Sequence, residues 1–206
     1  MISTKWLNRL ILFSLYLAII QMPAIYYYIN GVLALFLLML YLPMVAGLTI
    51  FLVVAVLRKP KTERATEHIM GLILTIFIGT WTMIFGESTI EKYEWLLRKD
   101  TRKDIVRRIK AGEIAADITR YGVYHLPIWY QPPISSSGND ISIEKTEQQT
   151  LTVEFFINRG FLDHYSAFLY TDDPGTIQTF DKEIMDTIHN THRKQKLEEN
   201  WYRVSY

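Results

Sequence analysis

The 206-residue chain has no cysteine, which excludes a disulfide framework, a thiolate nucleophile and an S-acylated anchor. It also lacks a glycine-rich phosphate loop, and no set of paired carboxylates or of nucleophile, base and orienter stands out by its spacing. A basic excess is missing as well: 22 Lys and Arg stand against 21 Asp and Glu. Six of those basic residues (Lys5, Arg9, Arg58, Lys59, Lys61, Arg64) and three of the acidic ones (Glu63, Glu67, Glu87) lie at or before residue 87, leaving 16 basic and 18 acidic residues beyond it. Nucleic-acid surfaces carry a basic excess, so that class of function is set aside.

Charge is absent altogether from residues 10–57. A helix needs roughly 20 apolar residues to cross a bilayer, where only helices and closed barrels satisfy their own backbone. This block of 48 residues therefore predicts two spans, at about 6–28 and 32–57. The Asn30-Gly31 turn separates them, and Tyr26, Tyr27 and Tyr28 stand at the headgroup level. Pro23 and Pro43 fall inside these spans and are expected to kink them, unless Pro23 opens the loop and the first span stops near residue 21. A third span is expected at 69–86. Gly71, Thr75 and Gly79 recur every four residues on one of its faces, the spacing that lets helices approach closely, within one chain or in a homodimer. Residues 21–24, Gln-Met-Pro-Ala, offer no small-x-small cleavage site, so the amino-terminal segment reads as an uncleaved anchor.

Lys5 and Arg9 flank the first span, and Arg58, Lys59, Lys61 and Arg64 crowd the link between the second and third. By the positive-inside rule the amino terminus and that link are cytoplasmic, which places the remainder outside the cytoplasm.

Residues 88–206 read as a small water-facing α+β domain with a mainly antiparallel sheet. Ser88-Thr89-Ile90-Glu91 has capping-box spacing and opens a helix over 88–99. A second helix starts at Thr101 and ends or pauses at Ala111-Gly112. Residues 121–125 alternate and stop at Pro127, as an edge strand does. Residues 131–140, with two prolines and three serines, read as a flexible loop. Strands follow over 141–145 and 151–157, then an Asn158-Arg159-Gly160 turn, a return strand over 161–171 and a turn at 172–175. A long helix is expected from 176 to about 199. The closing segment 201–206 is a strand, parallel to or beside an earlier one.

Few residues in the domain suggest chemistry. Asp186, His189 and His192 share one helical face and are the metal-ligand candidates, although their surroundings are those of a wet helix end; Asp172-Asp173, before Pro174-Gly175, reads as a turn rather than a cation site. His164 and Ser166 share a strand face while Asp163 points the other way, so they do not form a triad. No catalytic residue, cofactor or metal is assigned. Aromatic residues are the domain's positive signal, because they build cores and also protein interfaces. Tyr124, Trp129, Tyr130, Tyr165, Tyr170 and Trp201 are the candidate interaction surface.

Phe161-Leu162-Asp163-His164-Tyr165-Ser166, together with Asn200-Trp201-Tyr202-Arg203-Val204-Ser205-Tyr206, resembles segments of small bacterial inner-membrane proteins that protect their own cell. These are the entry-exclusion proteins of conjugative plasmids and the membrane immunity proteins that neutralise a cognate toxin. The resemblance implies a non-enzymatic protein, multi-pass in the inner membrane, whose partners are the lipid bilayer and another membrane or secreted protein. It carries over no functional residue. A membrane-anchored sensor of a small ligand and an anchored hydrolase are the alternative readings.

Overall fold

The computed structural model describes residues 3–28, 31–60, 66–114, 122–136, 138–146, 149–159, 165–186 and 194–206. Three helices precede a six-stranded antiparallel sheet. Helix α1 is Thr4–Tyr28, α2 is Gly31–Leu57 and α3 is Thr66–Lys110. All three contain stretches long and apolar enough to cross a membrane, at Thr4–Tyr28, Met39–Leu57 and Thr66–Gly86. Pro23 lies inside α1 and Pro43 inside α2, so the first span does not stop at residue 21. The chain divides into two compact units, Met1–Ile25 with Val32–Lys92, and Tyr26–Gly31 with Tyr93–Tyr206.

In the first unit, Leu7, Ile11, Leu52 and Val56 form an apolar cluster. The expected small-residue face of α3 lies against α1. A methyl group added at Gly71 would meet Ile11 Cγ2 at 2.6 Å, and one at Gly79 would meet Ala18 Cβ at 3.7 Å. Thr75 is buried and its hydroxyl donates to the Gly71 carbonyl at 2.8 Å. Gly71 thus permits the close helix approach on which packing in lipid depends, while a methyl at Gly79 would make only ordinary contact.

Helix α3 continues for 45 residues, which corrects the expectation of separate helices at 88–99 and from 101. No glycine or proline falls between Gly86 and Gly112, so nothing in the backbone stops it. Ser88 and Thr89 do not cap; their hydroxyls donate to the Phe85 carbonyl at 3.1 and 2.7 Å. Thr101 likewise lies mid-helix. The helix ends where Gly112 takes φ +71°. There the Glu113 amide donates to the Arg108 carbonyl at 3.0 Å and the Gly112 amide to that of Ile109 at 3.1 Å, the paired closure of a Schellman cap.

The strands are β1 Val123–His125, β2 Asp140–Lys145, β3 Leu151–Arg159, β4 Tyr165–Thr171, β5 Lys194–Glu198 and β6 Trp201–Ser205, with helix α4 at Pro174–Met185. The sheet order is β1-β2-β3-β4-β6-β5, so the β3–β4 pair sits mid-sheet and β6 is inserted between β4 and β5, antiparallel to both. Residues 158–159 belong to β3 rather than to a turn, paired with Ser166 and Tyr165 past a register shift. Asp173 caps α4, its carboxylate accepting from the Thr176 amide at 2.7 Å, and Pro174 opens the first turn.

Helix α4 ends at Met185, so the long helix expected to reach residue 199 is corrected: 194–198 is strand. Lys194 and Lys196 alternate onto one face, where they pair with Glu183 and Asp181 of α4, a period of two that helix geometry cannot supply. Asn200, at φ 63°, turns the chain into β6; asparagine tolerates that left-handed conformation.

The 131–140 segment is not the flexible loop expected from its serines. Ile134, Ser135, Ser136 and Asn139 are buried. The Ser135 hydroxyl accepts from the Phe156 amide at 2.9 Å, the Ser136 amide donates to the Phe156 carbonyl at 2.6 Å, and Asn139 Oδ1 accepts from the Ile134 amide at 3.2 Å. Serine and asparagine here supply the backbone partners that a buried loop requires.

Candidate interaction face

Strand alternation gives the sheet two faces of different character. The inner face carries Ile141, Ile143, Val153, Phe155, Phe168, Tyr170 and Trp201, which cluster with Trp95, Ile105, Val106 and Ile109 of α3. Trp95 stands 5.3 Å from Trp201 and 5.2 Å from Phe168, centroid to centroid. Within this cluster lies Arg102, 1 % exposed. Its Nη2 pairs with Glu94 Oε1 at 2.6 Å, and its guanidinium lies 4.5 Å from the Phe168 ring centroid. Burial pulls the Arg102 pKa below its ordinary value, against the Glu94 charge and hydrogen bond, which hold it up. Tyr27, from the end of α1, donates to the other Glu94 oxygen at 2.5 Å, and Tyr26 packs against the same cluster. The inner face is therefore closed.

The outer face is covered unevenly. Helix α4 seals the β4–β6–β5 half by setting Phe180 among Ala167, Leu169, Tyr202 and Val204. Lys194 and Lys196 lie over the rings of Phe180 and Tyr202, at 4.2 and 5.6 Å from the centroids, while holding the α4 carboxylates. The β1–β2–β3 half presents Val123 and His125, Asp140, Ser142 and Glu144, and Thr152 and Glu154, by the register of these strands. His125 and Glu144 are exposed, and Val123, Asp140, Ser142, Thr152 and Glu154 are half-buried. No buried apolar cluster covers this half among the described residues.

Polar and aromatic groups organise that open half. His125 Nδ1 lies 2.7 Å from Asp140 Oδ1, and the His125 ring centroid is 6.5 Å from that of Trp129. Trp129 is 62 % exposed and its neighbour Ile128 is also exposed. At the other margin the Tyr165 hydroxyl reaches both Glu154 oxygens at 3.3–3.4 Å, and the Tyr165 and Tyr206 rings lie 4.7 Å apart. Burial raises the Glu154 pKa against the pull of the hydrogen bonds from Tyr165 and Tyr206. Burial, followed by the charge and hydrogen bond of Glu154, pushes the Tyr165 hydroxyl up to about 12.

The aromatic residues proposed from sequence separate accordingly. Trp201 and Tyr170 are buried in the inner core, so they are corrected from surface to core. Tyr170 still offers its hydroxyl, which accepts from Lys110 at 2.6 Å. Tyr124 and Tyr130 are half-buried against that core. Tyr165 is half-buried on the outer face, and only Trp129 of the six is exposed. His125 was not among the candidates. Its pairing with Asp140 depends on β1 lying antiparallel to β2, a register that fifteen residues of separation do not reveal.

Asp186 is the C-cap of α4, its amide donating to the Lys182 carbonyl at 3.1 Å. His189, His192, Asp163 and His164 lie outside the described residues. Among the described residues no group of three or more His, Cys, Asp or Glu is placed to hold a metal ion. Ser166 shares the inner face, its hydroxyl 3.3 Å from that of Ser205. No known protein family, curated protein or solved structure matches the chain.

Proposed function

We propose that this is a non-enzymatic, multi-pass protein of the bacterial inner membrane that recognises another protein through its carboxy-terminal domain, in plasmid entry exclusion or toxin immunity. The observation that supports the reading is the β1–β2–β3 half of the outer sheet face, which no apolar cluster covers among the described residues and which is bordered by exposed Trp129 and His125. A tryptophan left in water beside a polar sheet is the kind of group that anchors protein interfaces. The basic residues flanking the spans support an amino terminus in the cytoplasm and a domain outside it. The self-protection role rests on the resemblance of the 161–166 and 200–206 segments.

The test is a set of single alanine substitutions scored for protection of the host cell. Trp129→Ala removes protection while membrane abundance and melting stay normal, since such anchors carry about 2 kcal/mol or more of an interface. Met185→Ala, at an exposed position on α4, leaves protection intact. Normal protection by the Trp129 variant counts against the reading.

A further inference from the structure

The first unit contains a cavity of about 470 Å³ lined by all three helices. That volume lies within the range of about 300–1,000 Å³ typical of sites for small molecules. We propose that this cavity holds one acyl chain of a membrane lipid.

Its position limits what can enter. Every lining residue belongs to the membrane-spanning stretches of α1, α2 or α3. Ile76, Met83 and Ile84 line the cavity and also belong to the exposed apolar surface. The cavity is thus continuous with the surface that faces lipid, and molecules dissolved in the hydrocarbon reach it directly.

Its chemistry narrows the occupant further. Leu17, Val45 and Leu48 add apolar wall. The buried polar groups of the lining are already closed on protein partners. Ser14 donates to the Leu10 carbonyl at 2.9 Å and Thr75 to that of Gly71 at 2.8 Å. Gln21 donates to the Gly79 carbonyl at 3.0 Å and to the Thr82 hydroxyl, and its Oε1 accepts from Tyr41 at 2.6 Å. The donors of Ser14, Thr75, Gln21 and Tyr41 are thus engaged within the protein, and the hydroxyls of Thr49 and Thr80 are the remaining polar groups of an otherwise apolar lining. A hydrocarbon chain loses nothing there. A partner helix, about 10–12 Å across with its side chains, is too broad to enter and would rest only on the rim.

Native mass spectrometry of the full chain, extracted in a mild detergent, reads the site directly. Wild type retains a phospholipid, and delipidated protein regains the bound peak on addition of dioleoyl phosphatidylethanolamine. Thr49→Phe fills the cavity from α2 and removes the peak at unchanged melting temperature. Val45→Phe, from the same wall, serves if the first variant does not accumulate. Equal retention by wild type and a folded, filled variant overturns the proposal. Absence of any bound lipid on wild type does so too, as does retention of a hydrophobic molecule without an acyl chain or of a protein partner that Thr49→Phe displaces.

Discussion

Within the membrane-spanning stretches the buried side chains of Ser14, Thr75 and Gln21 are neutral; Ser14 and Thr75 close on carbonyls of their own helices, and Gln21 closes on the Gly79 carbonyl, Thr82 and Tyr41. The domain instead buries a full ion pair, Glu94 with Arg102, among aromatic rings. The difference follows from what each medium offers. Hydrocarbon supplies no partner for a stray donor, so small side chains that bond back to their own helix are the inexpensive solution. In the domain, the attraction between Glu94 and Arg102 and the hydrogen bond from Tyr27 offset the cost of desolvating two charges. Cohesion differs too. Helix α3 approaches α1 most closely at Gly71, whereas the domain closes over large apolar side chains on the inner face and on the β4–β6–β5 half of the outer one.

The largest expected effect comes from breaking the ion pair. Glu94→Ala leaves Arg102 charged and uncompensated in the core, a loss of about 3–5 kcal/mol. Replacing both partners, as in Glu94→Leu with Arg102→Met, recovers most of it. Chemical denaturation of the full chain in micelles checks both variants; a single variant as stable as wild type would show that the pair is immaterial.

Next in size is the helix contact. A methyl group at Gly71 collides with the β-branched Ile11, which has few rotamers to yield, so Gly71→Ala costs about 1–3 kcal/mol. Gly47 has nothing within 4 Å of an added methyl, and Gly47→Ala gains up to about 1 kcal/mol of helix propensity. Opposite signs in paired melting experiments are the expected result.

The smallest effect is electrostatic. Burial raises the pKa of Asp172, but the Leu151 amide at 2.6 Å and Lys110 at 2.7 Å more than offset this and hold it below its ordinary value. Its contribution is therefore present above the unfolded pKa and lost as pH falls through the folded one. Glu154, whose pKa is raised, works in the other direction: its contribution is present at low pH and lost as pH rises. Asp172→Asn flattens the acid limb of the domain's stability below about pH 5, by at most about 1 kcal/mol for a pair so close to solvent. An unchanged acid limb would show that Asp172 contributes nothing.

The spans were legible because charge is excluded from hydrocarbon whatever the tertiary structure does, and the 151–157 alternation was legible because one face of that strand is buried. Two readings went astray where local signals competed with packing. Capping spacing at Ser88 exists, but a cap forms only where a helix begins, and α3 runs through it. The 194–198 segment is lysine-rich and helix-favouring, yet its alternating lysines reach the carboxylates and the Phe180 ring of α4 and the Tyr202 ring of β6. The open half of the sheet was not legible at all. It depends on which strands α4 covers, a matter of topology rather than of any residue's identity. For the same reason composition grouped Trp129 with Trp201, although one is exposed and the other lies in the core.

The central claim is that the open half of the sheet, and not the half under α4, meets another protein. A photo-crosslinking amino acid placed at Trp129, or instead at exposed Gln178 on α4, compares the two in living cells that display protection. The account predicts a discrete protein adduct from position 129 and none from 178. Equal adducts from both positions, or an adduct from 178 alone, would contradict it.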